Sequence, residues 1–495
     1  TEVEASPSST LKLFPHINDT PSTLPHSLDP FTITTSTGFL PLATSPKTLP
    51  DVFKPLTSLL DRLPVVREDG SPGLLATYEL GPTVLKELPD LTAEIDKLVT
   101  ADGKPDLFTI TAVFRDYSFL ASAYLLEPCW ENWCKNPAGG YGLGRDVLPK
   151  CIAGPMYRCA QMYVFQVYVF LTLSKFPLTP MYRLDIPPFL SYAAAYCLFN
   201  YTLDRPEEGL KYSNLRLVRA FERGLDHKSS EAGFVLTHVD MVKESPALVS
   251  GAVKVLDTIE KGGPRSEVND GFREILKAME KIEACMEGTI HYPPTVYTEV
   301  NISANLTFLM KNVGQLKASD YLSFRVFIFG ITSQSMFPNG VVYEGINDNK
   351  PMFFRGESGA NDSMVASPFP SIPFFQFLLR NKLTKYSHCI QIPLLDHLLQ
   401  IPMPDTPLTK ILHEFRAYRP RPHRDFLAHV ASKAEELGVR DFAVQDEETA
   451  VLYLKTLDHV RSFRWRHWLF AREYIIRRTP HPTATGGSPI VTVCP

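Results

Sequence analysis

Residues 445–478 read QDEETAVLYLKTLDHVRSFRWRHWLFAREYIIRR, and this stretch indicates a helical fold. Acidic residues stand near its start and REYIIRR near its end, as the helix dipole favours, so the stretch predicts one long helix over 445–478. Its apolar side chains recur at three- and four-residue spacing and predict a stripe that faces a core. The members of this stripe are Leu457, Val460, Phe463, His467, Phe470 and Tyr474.

His467 is the polar member of that stripe, and the residues alone leave two interpretations open. A core histidine satisfied by a hydrogen bond is the commoner case, and His459 on the same helix has a similar claim. The other interpretation is an iron ligand, since haem needs only one imidazole on a rigid apolar element. Arg464, nearly one turn earlier, could contact a haem propionate or remain a solvated helix charge.

Composition narrows the class of protein. The chain has 495 residues, 44% of them hydrophobic, which suffices for a large core and predicts more than one domain. Its net charge of -4 is spread without long runs, so it carries no electrostatic footprint for nucleic acid or an anionic membrane. Eight cysteines contain no CxxC pair, which argues against a zinc site or redox dithiol. A small or neutral substrate is the expected partner.

Location is predicted from two segments. The stretch TEVEASPSST at 1–10 is acidic and polar, unlike a secretory signal, and the longest apolar run, 162–173, is too short to span a bilayer. Both observations favour the cytosol.

The distribution of proline, serine and threonine along the chain predicts three regions. Residues 1–50 are rich in Pro, Ser and Thr and predict an extended arm. A small helical domain is expected over 51–183 and a large helical domain over 184–495, with the proline cluster at 177–188 as the linker. Proline-rich loops are expected at 336–340 and 361–373. Strand-like alternation is scarce, so we predict an all-α protein.

Several motifs, taken together and in order, resemble the indoleamine 2,3-dioxygenase family. They are LPKCIAGP (148–155), IPPFLSYAAAYCLFNY (186–201), SFRVFIFG (323–330), VVYEGI (341–346), RGESGANDS (355–363), FRAYRPRPHRDFL (415–427), RSFRWRHW (461–468) and ATGGS (484–488).

The resemblance implies that the large domain binds haem b. His467 matches the family's iron ligand, and Arg464 matches an arginine that contacts a haem propionate. Arg325 matches the arginine that holds the substrate carboxylate, a task suited to a planar two-donor fork. Without the family, Arg325 would be interpreted as a helix-surface or ion-pair residue.

Other matches imply a distal pocket. Tyr192 matches an aromatic residue that lines the indole pocket, with ordinary core packing as the alternative. Phe234 and His238 fall in the segment that forms another distal wall. His238 matches the residue that approaches the indole NH, with Thr237 as the alternative if the register slides by one and plain packing as the other.

Two glycine-containing loops complete the implied site. Ser358 and Gly359 match a small-residue loop that lets substrate and dioxygen lie close to the haem; a plain turn is the alternative. Thr485 belongs to a glycine loop that closes over the pocket, or else to a flexible tail.

By resemblance, the reaction is insertion of both atoms of dioxygen across the C2–C3 bond of the indole ring of L-tryptophan, giving N-formylkynurenine. Asp320, Glu357 and Phe369 depart from the family's usual residues and bear on the substrate. A haem oxygenase acting on a different indole derivative and a non-catalytic haem-binding sensor therefore remain alternatives. The oligomeric state is not predicted.

Overall fold

The computed structural model describes residues 13–161, 184, 186–287, 321–356, 393–402, 407–471, 481 and 483–487. Helices dominate these residues, and the strands among them are only two or three residues long. The predicted all-α class is confirmed. No helix within these ranges has the length and apolarity that crossing a membrane requires.

Six α-helices are defined in the described residues before 162. They are α1 (Lys54–Arg62), α2 (Leu74–Thr77), α3 (Leu80–Glu87), α4 (Thr92–Ile95), α5 (Leu107–Lys135) and α6 (Lys150–Gln161).

Nine more follow in the described part beyond residue 184. They are α7 (Ser230–Val242), α8 (Ser245–Glu260), α9 (Arg265–Glu287), α10 (Tyr321–Arg325), α11 (Pro393–Leu398), α12 (Pro407–Phe415), α13 (Arg421–Leu437), α14 (Val439–Ala443) and α15 (Glu447–Ala471).

Shorter elements connect these helices. A π-helix spans Tyr192–Cys197, and the 3-10 turns include Val326–Ile328 and Arg416–Tyr418. The strands form two small ladders. Strand β1 (Val147–Leu148) pairs in parallel with β4 (Val342–Tyr343), and β2 (Tyr201–Leu203) pairs antiparallel with β3 (Leu215–Leu217).

Helix α5 is the central element of the core. It begins where the Asp106 side chain accepts a hydrogen bond from the Thr109 amide at 3.1 Å, a normal N-cap. Its side chains are buried on nearly every face, as expected of a helix surrounded by other elements. It packs against α6, the π-helix and the turn Val326–Ile328, and the Ser122 hydroxyl donates to the Phe327 carbonyl. Residues from both predicted helical domains therefore share one core.

Three helices position the site. Helix α9 packs against both α7 and α15, and α7 also contacts the π-helix and α10. Helix α15 begins at Glu447, two residues later than predicted, because the Asp446 carboxylate caps it by accepting from the Thr449 amide at 3.0 Å. The predicted apolar stripe is confirmed at Val460 and Phe463, which are buried.

The N-terminal arm is tightly docked from residue 13 onward. Phe31 and Phe39 stack edge-on against His423 of α13, with ring centroids 5.5 and 5.1 Å apart. The Phe39 amide also donates to the Ser245 hydroxyl at 2.9 Å. The predicted boundary at 183/184 and most of the predicted linker lie outside the described residues, so the domain division stays a prediction.

Candidate active site

An aromatic wall forms where the π-helix meets α7. The Tyr192 hydroxyl lies 3.4 Å from His238 Nδ1, and the two rings meet edge to face at 5.0 Å. Phe234, one turn earlier on α7, lies 6.4 Å from the Tyr192 ring. The structure thus brings together Tyr192, Phe234 and His238. Thr237 lies beside Tyr212, and His238 is the residue whose ring faces Tyr192.

A buried carboxyl group holds this wall in place. Glu231, in the first turn of α7, accepts hydrogen bonds from the Phe221 and Glu222 amides at 2.8 and 2.7 Å. Its other oxygen accepts from the Tyr196 hydroxyl at 3.1 Å, which links α7 to the π-helix. Burial, reinforced by neighbouring Glu222, raises the pKa of Glu231 to about 8.

Arg325 ends α10 and is completely buried. One nitrogen, Nη2, donates to the Thr483 carbonyl at 3.2 Å, whereas Nε and Nη1 make no hydrogen bond of normal geometry within the described part of the chain. Its guanidinium stacks over the Phe329 ring at 4.8 Å. The preceding residue, Phe324, lies 5.9 Å from the Phe234 ring, so α10 connects Arg325 to the aromatic wall.

The C-terminal residues 481 and 483–487 lie across Arg325. The Gly330 amide donates to the Thr485 carbonyl at 3.0 Å, and Gln334 Nε2 donates to the Ala484 carbonyl at 2.8 Å. A Cβ at Gly356 would lie 2.1 Å from the Gly330 nitrogen and 2.2 Å from the Thr485 oxygen, so only glycine fits at this crossing. Thr485 is therefore packed against Gly330 and Gly356.

His481 completes this segment. Its ring meets Tyr141 and Phe329 edge-on at 5.2 and 5.1 Å, and its Nε2 shares a 2.9 Å hydrogen bond with the Thr483 hydroxyl. Burial, together with the charge of Arg325, lowers the pKa of His481 to about 4. The imidazole is therefore neutral at pH 7.

Helix α15 carries the predicted haem-binding positions. Position 467 lies four residues after Phe463 and seven after Val460, on the stripe that is buried there. His459 has a different role, because its Nδ1 pairs with Glu283 at 3.1 Å and this hydrogen bond raises its pKa. The contact with Glu283 therefore accounts for the position of the His459 side chain.

Arg464 pairs with a buried carboxylate. Its Nη2 donates to Asp396 of α11, and both side chains are largely inaccessible. Burial raises the pKa of Asp396 to about 6, although Arg464, Arg416 and Arg419 each act to lower it. Arg464 Nε has no hydrogen-bond partner and remains a donor for an acidic group. The predicted alternative of a solvated helix charge is wrong, since the Arg464 side chain is only 11% exposed.

Some predicted residues are not placed. Ser358 and Gly359 lie outside the described residues, as do Asp320, Glu357 and Phe369.

Four neighbours of the site were not predicted from sequence: Tyr141, Glu231, Asp396 and His481. For Glu231 a signal existed, because it is an acid in the first turn of an otherwise apolar helix. The others come from segments far apart in the chain.

Comparison with known proteins identifies the family. The family model described as "Indoleamine 2,3-dioxygenase" matches residues 176–488, which is more than half of the chain. The chain belongs to the indoleamine 2,3-dioxygenase family.

Its relatives agree with this membership. Indoleamine 2,3-dioxygenase of Saccharomyces cerevisiae is 24% identical over 84% of this chain and 77% of its own length. Indoleamine 2,3-dioxygenase 1 of Mus musculus is 24% identical over 87% of this chain and 80% of its own length. The chain is thus an oxidoreductase of the indoleamine 2,3-dioxygenase family.

Proposed function

We propose that this protein is a haem-dependent dioxygenase that cleaves the C2–C3 bond of the indole ring of L-tryptophan and forms N-formylkynurenine. The observation that carries the proposal is Arg325, a fully buried guanidinium with no carboxylate partner among the described residues. Burying such a charge unpaired is costly, so a binding site for an anionic group is the explanation we favour. The aromatic wall beside it suits a flat ring.

The residues present fit haem b. The sequence puts a histidine at position 467 of helix α15, four residues after buried Phe463. Arg464, one turn before it, has an Nε without a hydrogen-bond partner among the described residues. His467 would bind the iron, and the Arg464 donor near it would suit a haem propionate. When bound, haem supplies the redox-active iron at which dioxygen is activated.

The protein's own share is positioning. Arg325 would hold the substrate carboxylate, Tyr192 and Phe234 would flank the indole ring, and His238 would approach the indole NH. The segment 483–487 would exclude water, since Thr485 already packs against Gly330 and Gly356. Ser358 and Gly359 are proposed to leave room for dioxygen. No general base is assigned.

A second indole is the alternative substrate. Asp320 precedes Arg325 by five residues, and a carboxylate there would repel the carboxylate of tryptophan if it entered the pocket.

A cytosolic setting also belongs to the proposal and is supported by the thiols, because no disulfide joins any of the six cysteines that the structure describes.

The test is turnover by the haem-loaded protein with a reductant. L-Tryptophan, tryptamine and ring-substituted indoles are compared, and haem content is measured in the same samples. We expect N-formylkynurenine from L-tryptophan. Full haem loading without product from any indole would contradict the proposal and favour a sensor, and product from another indole alone would identify that indole as the substrate.

A further inference from the structure

Tyr141 presents a second buried polar group beside Arg325. It lies in the loop after α5, and its side chain is 3% exposed. Among the described residues its hydroxyl makes no hydrogen bond of normal geometry. Burial raises the pKa of Tyr141, whereas the positive charge of Arg325 and the contact of its guanidinium with the hydroxyl act to lower it. The phenol is therefore neutral and keeps its proton available for donation.

The loop holds the Tyr141 ring firmly. Asn132 Nδ2 donates to the Gly140 carbonyl at 2.9 Å, and the Gly144 amide donates to the Met336 carbonyl at 3.0 Å. The ring packs against Trp133, Phe329 and His481 at 5.0 to 5.2 Å. The position of the hydroxyl is thus fixed by packing and by the loop rather than by a partner of its own.

Arg325 retains enough donors for a bidentate contact. A guanidinium has five N–H groups, and its two-donor edges are formed by Nη2 with Nε and by Nη2 with Nη1. The Thr483 carbonyl takes one N–H of Nη2, and Nε and Nη1 are unpartnered. The Thr483 carbonyl uses one N–H of one guanidinium edge, so both N–H donors of the other edge are left for a ligand.

No counter-charge in the described part of the chain occupies this place. Arg325 forms no ion pair there, and neighbouring His481 is neutral at pH 7. Two buried donor groups, one cationic and one phenolic, thus lie side by side. Such a pair suits an anion that accepts several hydrogen bonds at once.

We propose that Tyr141 is a further substrate-binding residue, whose hydroxyl donates to the same carboxylate that Arg325 binds. This inference rests on the proposed function. Recognition of an amino-acid or other carboxylate-bearing indole would then depend on both Arg325 and Tyr141, which are 184 positions apart in the sequence. Tyr141 would discriminate against decarboxylated indoles without touching the indole ring.

The test uses Tyr141→Phe, which keeps the ring packing and removes only the hydroxyl. The matched control is Tyr117→Phe, because the Tyr117 hydroxyl is also buried without a hydrogen-bond partner but lies near Cys151 and Cys159. Equilibrium dialysis of the ferric, haem-loaded proteins measures the affinity for L-tryptophan and for tryptamine. No turnover is needed.

We expect Tyr141→Phe to weaken L-tryptophan binding roughly tenfold and to leave tryptamine binding unchanged. Tyr117→Phe should alter neither. An L-tryptophan affinity within twofold of wild type, or equal losses on both ligands, overturns the inference. Arg325→Leu separates the two proposals: if it weakens L-tryptophan binding and Tyr141→Phe does not, only the role of Tyr141 fails. If Arg325→Leu also binds L-tryptophan normally, the proposed carboxylate recognition fails too.

Discussion

At the scale of single residues, an unpaired buried charge distinguishes Arg325 from the other arginines of the site. Arg464 pairs with Asp396 and Arg355 with Glu414, whereas among the described residues Arg325 contacts a backbone carbonyl, the Phe329 ring and Tyr141 but no carboxylate. Arg325 could be proposed from the sequence because it lies within the contiguous motif SFRVFIFG. Tyr141 could not be predicted in this way, since only tertiary packing brings its loop to Arg325.

Replacing Arg325 should separate substrates by charge. We expect Arg325→Leu to lower kcat/KM for L-tryptophan by about 2 to 4 kcal/mol, because a charge-assisted pair in a dry pocket is lost. The loss on tryptamine should be much smaller, and haem content should not change. Steady-state kinetics on both substrates provide the measurement. Equal losses would mean that Arg325 serves the fold or the Thr483 contact.

The two histidines of α15 should differ in haem binding. We expect His467→Ala to fold but to retain little haem, because the axial imidazole is the main bond between iron and chain. His459→Ala is the control and should keep its haem, since His459 pairs with Glu283. Haem stoichiometry and the Soret spectrum report the result. A wild-type spectrum in His467→Ala would refute the assignment.

At the scale of elements, the closed C-terminal segment is held by few contacts. Thr485 binds Gly330, Ala484 binds Gln334, and His481 packs between Tyr141 and Phe329. Gly486 and Gly487 indicated a loop at this place, whereas no pattern in the sequence indicated that His481 packs with it. That histidine makes closure depend on pH.

Acid should open this segment. The pKa of His481 is about 4 when packed and about 6.5 when exposed, so the open form binds more protons and closure weakens as pH falls below 6.5. Hydrogen exchange at the Gly330 amide, corrected for its intrinsic rate, should therefore quicken between pH 7 and pH 5. His481→Gln should remove this dependence. Constant protection of the wild-type amide would contradict the account.

At the scale of the whole molecule, α5 and the buried polar groups around it join the two predicted domains. The helical class followed from periodicity alone, and the start of α15 was predicted within two residues. The burial of α5 on nearly all faces was beyond sequence reasoning, because an evenly apolar helix shows no periodic stripe. Glu231 is the group through which this core responds to pH.

Global stability should fall between pH 6 and pH 8 because of Glu231. Its pKa is about 8 in the folded chain and about 4.5 when exposed, so its contribution is complete below pH 4.5 and is lost as pH rises toward 8. Glu231→Gln cannot ionise, and its amide oxygen can accept from the Phe221 and Glu222 amides while its NH2 group donates to the Tyr196 oxygen. Urea unfolding should show wild type losing on the order of 2 kcal/mol more than the variant over this range. Parallel pH profiles would count against a protonated Glu231.

Dioxygenation of tryptophan by the haem-loaded protein can be tested directly with isotopically labelled oxygen. Ferrous, haem-loaded protein is incubated with L-tryptophan under ¹⁸O₂, and the product is analysed by mass spectrometry. We predict N-formylkynurenine in which both inserted oxygen atoms carry the label. A product with one labelled oxygen, or no product from fully haem-loaded protein, would contradict the account.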